Sequence, residues 1–176
     1  MFCHMQADRK FVIVVAVDFS EIGDLALDHA LKLADREPRA ELHAVHVASA
    51  YGPMLRVELG DEARTLPLEQ ASEELRQHVE RHVESLRALG GAHFQRVVTH
   101  IRVGAPPEEV ARLAVEVDAD MVVMGTHGRR GLRRLLLGSV AEATLRQVHC
   151  PVLVVRPKEH DLEREEGVLT AVVEAR

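Results

Sequence analysis

The sequence predicts an α/β protein built on a five-stranded, doubly wound parallel sheet with helices on both faces. Three observations predict it. Short β-branched runs, such as Phe11 to Val17 and Met121 to Met124, show no polar alternation, which suits strands covered on both sides. Segments with apolar residues at helical spacing separate those runs. The resulting order is β-α-β-α-β-α-β-α-β, whose crossovers should all be right-handed.

Each element has its own signal. Phe11 to Val17 is the first strand, and Ser20 can cap the helix after it. Ile22, Leu25, Ala26, His29, Ala30 and Leu33 share one face of that helix, which Pro38 ends. Glu41 to Val47 reads as the second strand. Residues 48–65 carry Gly52, Pro53 and Gly60, with Pro67 just beyond, and read as a long loop. Ala71, Leu75, Val79, Val83 and Leu86 mark a helix over 68–89, stopped at Gly90-Gly91. Phe94 to Val103 is the third strand. Pro106-Pro107-Glu108-Glu109 opens a helix that buries Val110, Leu113, Ala114 and Val117. Met121 to Met124 is the fourth strand. Ser139-Val140-Ala141-Glu142 reads as a capping box opening the last helix. Pro151 to Val155 is the fifth strand.

The 176 residues suit one domain. Its limits are drawn at 11–157, with a short N-terminal extension over 1–10. The tail over 158–176 is acidic and then apolar at Val168-Leu169 and Val172-Val173. Aromatic residues make up 3% and there is no Trp, so base-stacking platforms for single-stranded nucleic acid are not expected. A net charge of −6 offers no general attraction to nucleic acid or anionic lipid. Cys3 and Cys150 form no CxxC pair, no signal-peptide core is visible, and no early apolar run could span a membrane. A reduced, cytoplasmic chain is the expectation.

The stretch from Gly125 to Ser139 carries the chemistry. It joins the fourth strand to the last helix, holds Gly125, Gly128, Gly131 and Gly138, and contains four arginines and no acid. Glycines let a backbone approach a ligand closely. A helix N-terminus offers unpaired N–H groups and a positive dipole end, which suit phosphate. The stretch is neither a GxxxxGK[ST] loop nor a GxGxxG turn after strand one.

Gly125, Gly128, Gly138 and Ser139 follow the spacing Gly, two residues, Gly, nine residues, Gly-Ser. That spacing resembles the ATP-binding signature of the universal stress protein family. Val15 to Ser20, Leu137 to Glu142 and Cys150 to Val155 resemble the same family's opening strand, closing helix and closing strand. The resemblance spans roughly residues 10 to 157. It implies a Rossmann-like, adenine nucleotide alpha hydrolase-like sheet of order 3-2-1-4-5. Ligands of such sheets sit at the strand C-termini where the order reverses, here between strands one and four.

The resemblance also implies roles. Asp18 would hold the ribose hydroxyls, and Gly125 would approach the ribose through its backbone. Gly128, Gly138, Ser139 and Val140 would surround the phosphates, with His127 near them. Arg129 and Arg130 either reach the phosphates or face water. Ala16, Val17 and Met124 would wall the adenine, and Val47 would meet its edge. The implied ligand is ATP or another adenine nucleotide, with or without Mg. The implied partner is a second copy, paired through Val152, Leu153, Val154 and Val155.

Other constellations rank lower. His78 and His82 stand i, i+4 on a helix, but no third ligand lies at a recognisable spacing, so no metal site is expected. His43 and His46 read as structural, and Cys150 as an apolar residue before Pro151. No catalytic set can be assembled. Two function classes remain: a nucleotide-binding regulatory protein, and a slow ATPase or nucleotidyl-transfer enzyme of the same fold. The absence of acids between Gly125 and Ser139 favours binding, since phosphoryl transfer needs metal-holding carboxylates.

Overall fold

A computed structural model describes residues 9–59, 62–126 and 137–157. The strands are β1 (Phe11–Ala16), β2 (Ala40–Tyr51), β3 (Met54–Leu59), β4 (Glu62–Leu66), β5 (Arg96–Val103), β6 (Met121–Gly125) and β7 (Val152–Val155). The helices are α1 (Glu21–Ala34), α2 (Leu68–Ala88), α3 (Pro106–Glu116) and α4 (Ser139–Gln147).

Five strands are parallel and run β5-β2-β1-β6-β7. This is the expected order 3-2-1-4-5. β1 lies central, in register with β2 from Phe11↔Ala40 to Ala16↔Val45 and with β6 from Ile13↔Met121 to Val15↔Val123. Strand side chains alternate between faces, so β1 feeds two cores. Ile13, Val15 and Val17 pack with α1 and with Leu75, Val79 and Val83 of α2. Val14 packs on the other face with Val45, Val122 and Val110, Leu113 and Ala114 of α3. Both layers are aliphatic and fully or nearly buried.

Residues 48–65 are not a loop. β2 continues to Tyr51, and β3 and β4 add an antiparallel hairpin to its far end, with Ser49↔Arg56 and Leu55↔Leu66 in register. Gly52 and Pro53 form a two-residue turn with Gly52 at φ 59°, the kind of turn a tight hairpin needs. The strands escape a reading by hydrophobicity because they are mostly exposed. Only Val57 and Leu66 are buried, against Ala48 and Ala71.

The helix boundaries follow the sequence signals with one exception. Ser20 caps α1, its hydroxyl accepting from the Gly23 N–H at 3.0 Å. Gly90, at φ 83°, follows the end of α2. Pro106 stands in the first turn of α3. The capping box at Ser139 does not form. Gly138 is the N-cap of α4, Ser139 is the first helical residue, and no side chain caps the helix. Gly138, whose N–H is held by the Thr126 carbonyl, carries the extended φ and ψ of a cap, one residue earlier than Ser139.

Candidate functional site

The order of the sheet reverses between β1 and β6, the point at which doubly wound sheets open a crevice at their strand C-termini. α1 follows one of these strand ends. α4 follows the other after the glycine-rich stretch.

Asp18 stands two residues past β1 and is half-buried. Its Oδ1 accepts from the Ser20 N–H at 3.1 Å and from the Ser20 hydroxyl at 2.6 Å. This is an Asx turn, in which an aspartate bonds the backbone two residues on. Ser20 thus works twice: its hydroxyl accepts from α1 and donates to Asp18. Among the described residues the bonds to Asp18 all use Oδ1, which leaves Oδ2 to accept from a ligand.

Two further residues fix this carboxylate. Phe19 lies in the left-handed region at φ 56°, unusual for a bulky residue. Its ring packs edge-on against His46 at 4.9 Å and His78 at 4.8 Å between centroids. Those contacts hold the turn in a conformation the chain alone disfavours. Gly23 supplies room, because a Cβ there would stand 2.2 Å from Asp18 Oδ1. Sequence reasoning reads Ser20 only as a cap and gives Gly23 no role. The pattern Asp18-x-Ser20-x-x-Gly23 was the available signal.

On the other side of the crevice, the chain after β6 is pinned at its base. The Thr126 N–H donates to the Val155 carbonyl at 2.8 Å, and the Gly138 N–H donates to the Thr126 carbonyl at 2.8 Å. The two ends of the glycine-rich stretch are therefore joined beside the sheet. His127, Gly128, Arg129 and Arg130 lie outside the described residues. Ser139 and Val140 are exposed in the first turn of α4. With glycine as N-cap, the first-turn N–H groups meet no side-chain cap.

The residues expected around adenine divide between the faces. Ala16 and Val47 pack on the Val14–Val45 side, and strand alternation puts Met124 on the face of Val122, which is the same side. The Val17 side chain goes the other way, into the α1–α2 core at 3% exposure. Its N–H donates to the Val45 carbonyl and its carbonyl accepts from His46 Nδ1, both at 2.8 Å. The fold thus gathers Ala16, Val47 and Met124, while Val17 is committed to the opposite layer.

Cys150 is a free, partly buried thiol packed on the α3 core, and burial pushes its pKa up, which suits an apolar role.

A doubly wound, mostly parallel sheet with helices on both faces and its order reversed between β1 and β6 belongs to the class of Rossmann-like α/β architectures. Residues 11–156 match the model of the universal stress protein family. A universal stress protein of Methanocaldococcus jannaschii is 35% identical over 148 residues, covering 82% of this chain and 81% of the relative. A putative universal stress protein of Staphylococcus saprophyticus is 31% identical over 148 residues, covering 84% of each. The chain belongs to the universal stress protein family.

Solved structures agree in fold. A hypothetical protein whose biochemical function was assigned from its structure superposes at a TM-score of 0.61, with 27% identity over 84% of this chain and 96% of that one. A universal stress protein in complex with cAMP superposes at 0.57 with 22% identity, covering 83% and 97% of the two chains. One from Archaeoglobus fulgidus in complex with dAMP superposes at 0.56 with 24% identity, covering 84% and 98%. Among the described residues, no helix is long and apolar enough to cross a membrane.

Proposed function

We propose that this chain binds an adenine nucleotide, ATP foremost, in the crevice between Asp18 and the start of α4, as a ligand-responsive regulatory protein. The observation that carries this reading is the α4 N-terminus. Its cap is Gly138, which has no side chain to bond the first-turn N–H groups, and the Gly138 N–H is tied to the Thr126 carbonyl just past β6, at the reversal of the sheet. Those N–H groups and the helix dipole suit a polyphosphate. Asp18 Oδ2 suits ribose hydroxyls, since a carboxylate only accepts. Ala16, Val47 and Met124 offer an apolar wall to a purine. The cAMP and dAMP complexes of two family members support an adenine ligand in this architecture.

In this reading the backbone around Gly125 and Gly128 approaches the ribose and phosphates, and His127 and Arg129 stand near the phosphates. Gly128→Val puts a branched side chain against them. Calorimetric titration with ATP should show a tenfold or greater loss, about 1.4 kcal/mol, in a folded variant. Unchanged affinity would place the site elsewhere. Mass spectrometry of the nucleotide released from denatured protein identifies the working ligand.

The enzyme alternative is separated by turnover. The stretch from Gly125 to Ser139 carries no acid to hold a metal ion, so ATP hydrolysis with Mg should stay far below the roughly 10 s⁻¹ of a median enzyme. Hydrolysis above about 1 s⁻¹ by clean protein would favour that alternative instead.

A further inference from the structure

We propose that α1 and α2 hold a divalent transition-metal site of the zinc class, formed by Asp24, His78 and His82. The sequence shows only the i, i+4 histidine pair. The fold brings α1 against it and supplies the missing carboxylate. Each of the three residues offers one ligand atom, and these atoms lie within 4.8 Å of one another. Asp24 Oδ1 stands 2.8 Å from His78 Nε2 and 3.9 Å from His82 Nε2. Tetrahedral zinc with bonds of about 2.0–2.1 Å spaces its ligand atoms about 3.3 Å apart, so small side-chain rotations close the set. Two imidazoles and one carboxylate are a common donor set for such an ion, with a fourth position left for water.

The surroundings are those of a built site. His82 donates through the opposite ring nitrogen, Nδ1, to Asp28 Oδ1 at 2.7 Å. That contact fixes the tautomer that frees Nε2 for a metal. His78 is buried at 9% exposure, and the Phe19 ring packs on it. The Arg81 guanidinium lies 3.4 Å from His78 Nδ1 and is exposed, so it can turn to solvent as that nitrogen takes its proton. The site lies one helical turn past Ser20, and Phe19 links it to Asp18. An ion there would tie the start of α1 to α2 beside the nucleotide crevice. The proposal stands independently of what that crevice binds.

The test is zinc titration of tag-free, chelator-treated protein by calorimetry near pH 7.5, with Co²⁺ absorption as a second readout. The chain has 11 histidines, so site-specific variants are essential. The parent should bind one Zn²⁺ tightly and show the intense visible bands of low-coordinate Co²⁺. Zinc should also raise its melting temperature. Asp24→Asn and His82→Gln should each lose about tenfold or more in affinity and lose the zinc-dependent rise, with unchanged circular dichroism. Asp24→Asn keeps a hydrogen-bond acceptor for His78, so it preserves the packing. Equal zinc binding by parent and both variants, or no saturable binding by the parent, would overturn the proposal. A variant that melts lower without metal while the parent shows no zinc response would reduce the cluster to an ion-pair staple and overturn it equally.

Discussion

At the scale of single residues, the clearest result is how much neighbouring chemistry one aspartate needs. Asp18 is placed by Ser20, by the left-handed backbone of Phe19 and by the missing side chain of Gly23. Alanine at position 23 suits the helical backbone. Its Cβ, however, would occupy the space of Asp18 Oδ1. Gly23→Ala should therefore fold, displace the carboxylate and weaken adenine-nucleotide binding about tenfold or more, read by calorimetry. Wild-type affinity in this variant would show that Asp18 does not hold the ligand. Asp18→Asn should weaken binding similarly, because an amide presents one acceptor where the carboxylate presents two.

At the scale of elements, β2 and β5 carry an acid-sensitive pair. His43 and His100 stack at 5.2 Å between centroids, with Nδ1 and Nε2 2.9 Å apart. Burial, then His43 and Arg102, push the His100 pKa down to about 4, and only Glu116 opposes. Burial lowers that of His43 as well, against the pull of Glu41. The unfolded imidazole takes its proton near pH 6.5, whereas folded His100 does so near pH 4. Between those values the unfolded state holds more protons, so stability rises with pH there and is full above about 6.5. Each unit is worth about 1.4 kcal/mol, and solvent screening at this partly buried ring reduces the total to about 1–2 kcal/mol. Denaturant melts of parent and His100→Gln at pH 4.5 and 7.5 measure this. The parent should lose more on acidification than the variant, and equal losses would show that the pair does not titrate this way.

For the whole molecule, two consequences follow from the architecture. A ligand bound to the folded state alone stabilises it by mass action, about 2.7 kcal/mol at a hundredfold excess over Kd. For a chain of this size that is roughly 5–10 °C in Tm. A thermal shift with ATP in the parent that falls by about half or more in Gly128→Val at the same concentration ties the ligand to the glycine stretch. The second consequence concerns β7. It pairs with β6 on one side, and among the described residues its other side has no strand partner. An apolar edge of Val152 to Val155 invites pairing, and a two-fold axis would pair it with its copy. The expected dimer should appear in light scattering at micromolar concentration, and Val154→Pro, which removes a backbone donor, should shift it to monomer. A monomeric parent would show that this edge does not pair between copies.

The family resemblance supplied the strand order, and the sequence by itself determined the five parallel strands and three of the four helix starts. Those features rest on local signals: β-branched runs for buried strands, serine or proline at helix openings, and glycine at their ends. It also marked Asp18, Gly125 and Gly138, because glycine spacing and a strand-end acid are legible in one dimension. The tertiary structure alone decided the rest. The β3–β4 hairpin faces solvent, so it carries little hydrophobic pattern, and only pairing with the end of β2 gives it form. The α4 cap fell on Gly138, whose extended backbone, tied to the Thr126 carbonyl, takes the cap position one residue before Ser139. The Val17 side chain joined the α1–α2 core because strand alternation puts it on the face of Ile13 and Val15. Asp24 met His78, 54 residues further along the chain, and His82 one turn beyond it, only when α1 packed on α2. Side-chain spacing along one helix is written in the sequence, whereas contact between two helices depends on how both pack against the sheet.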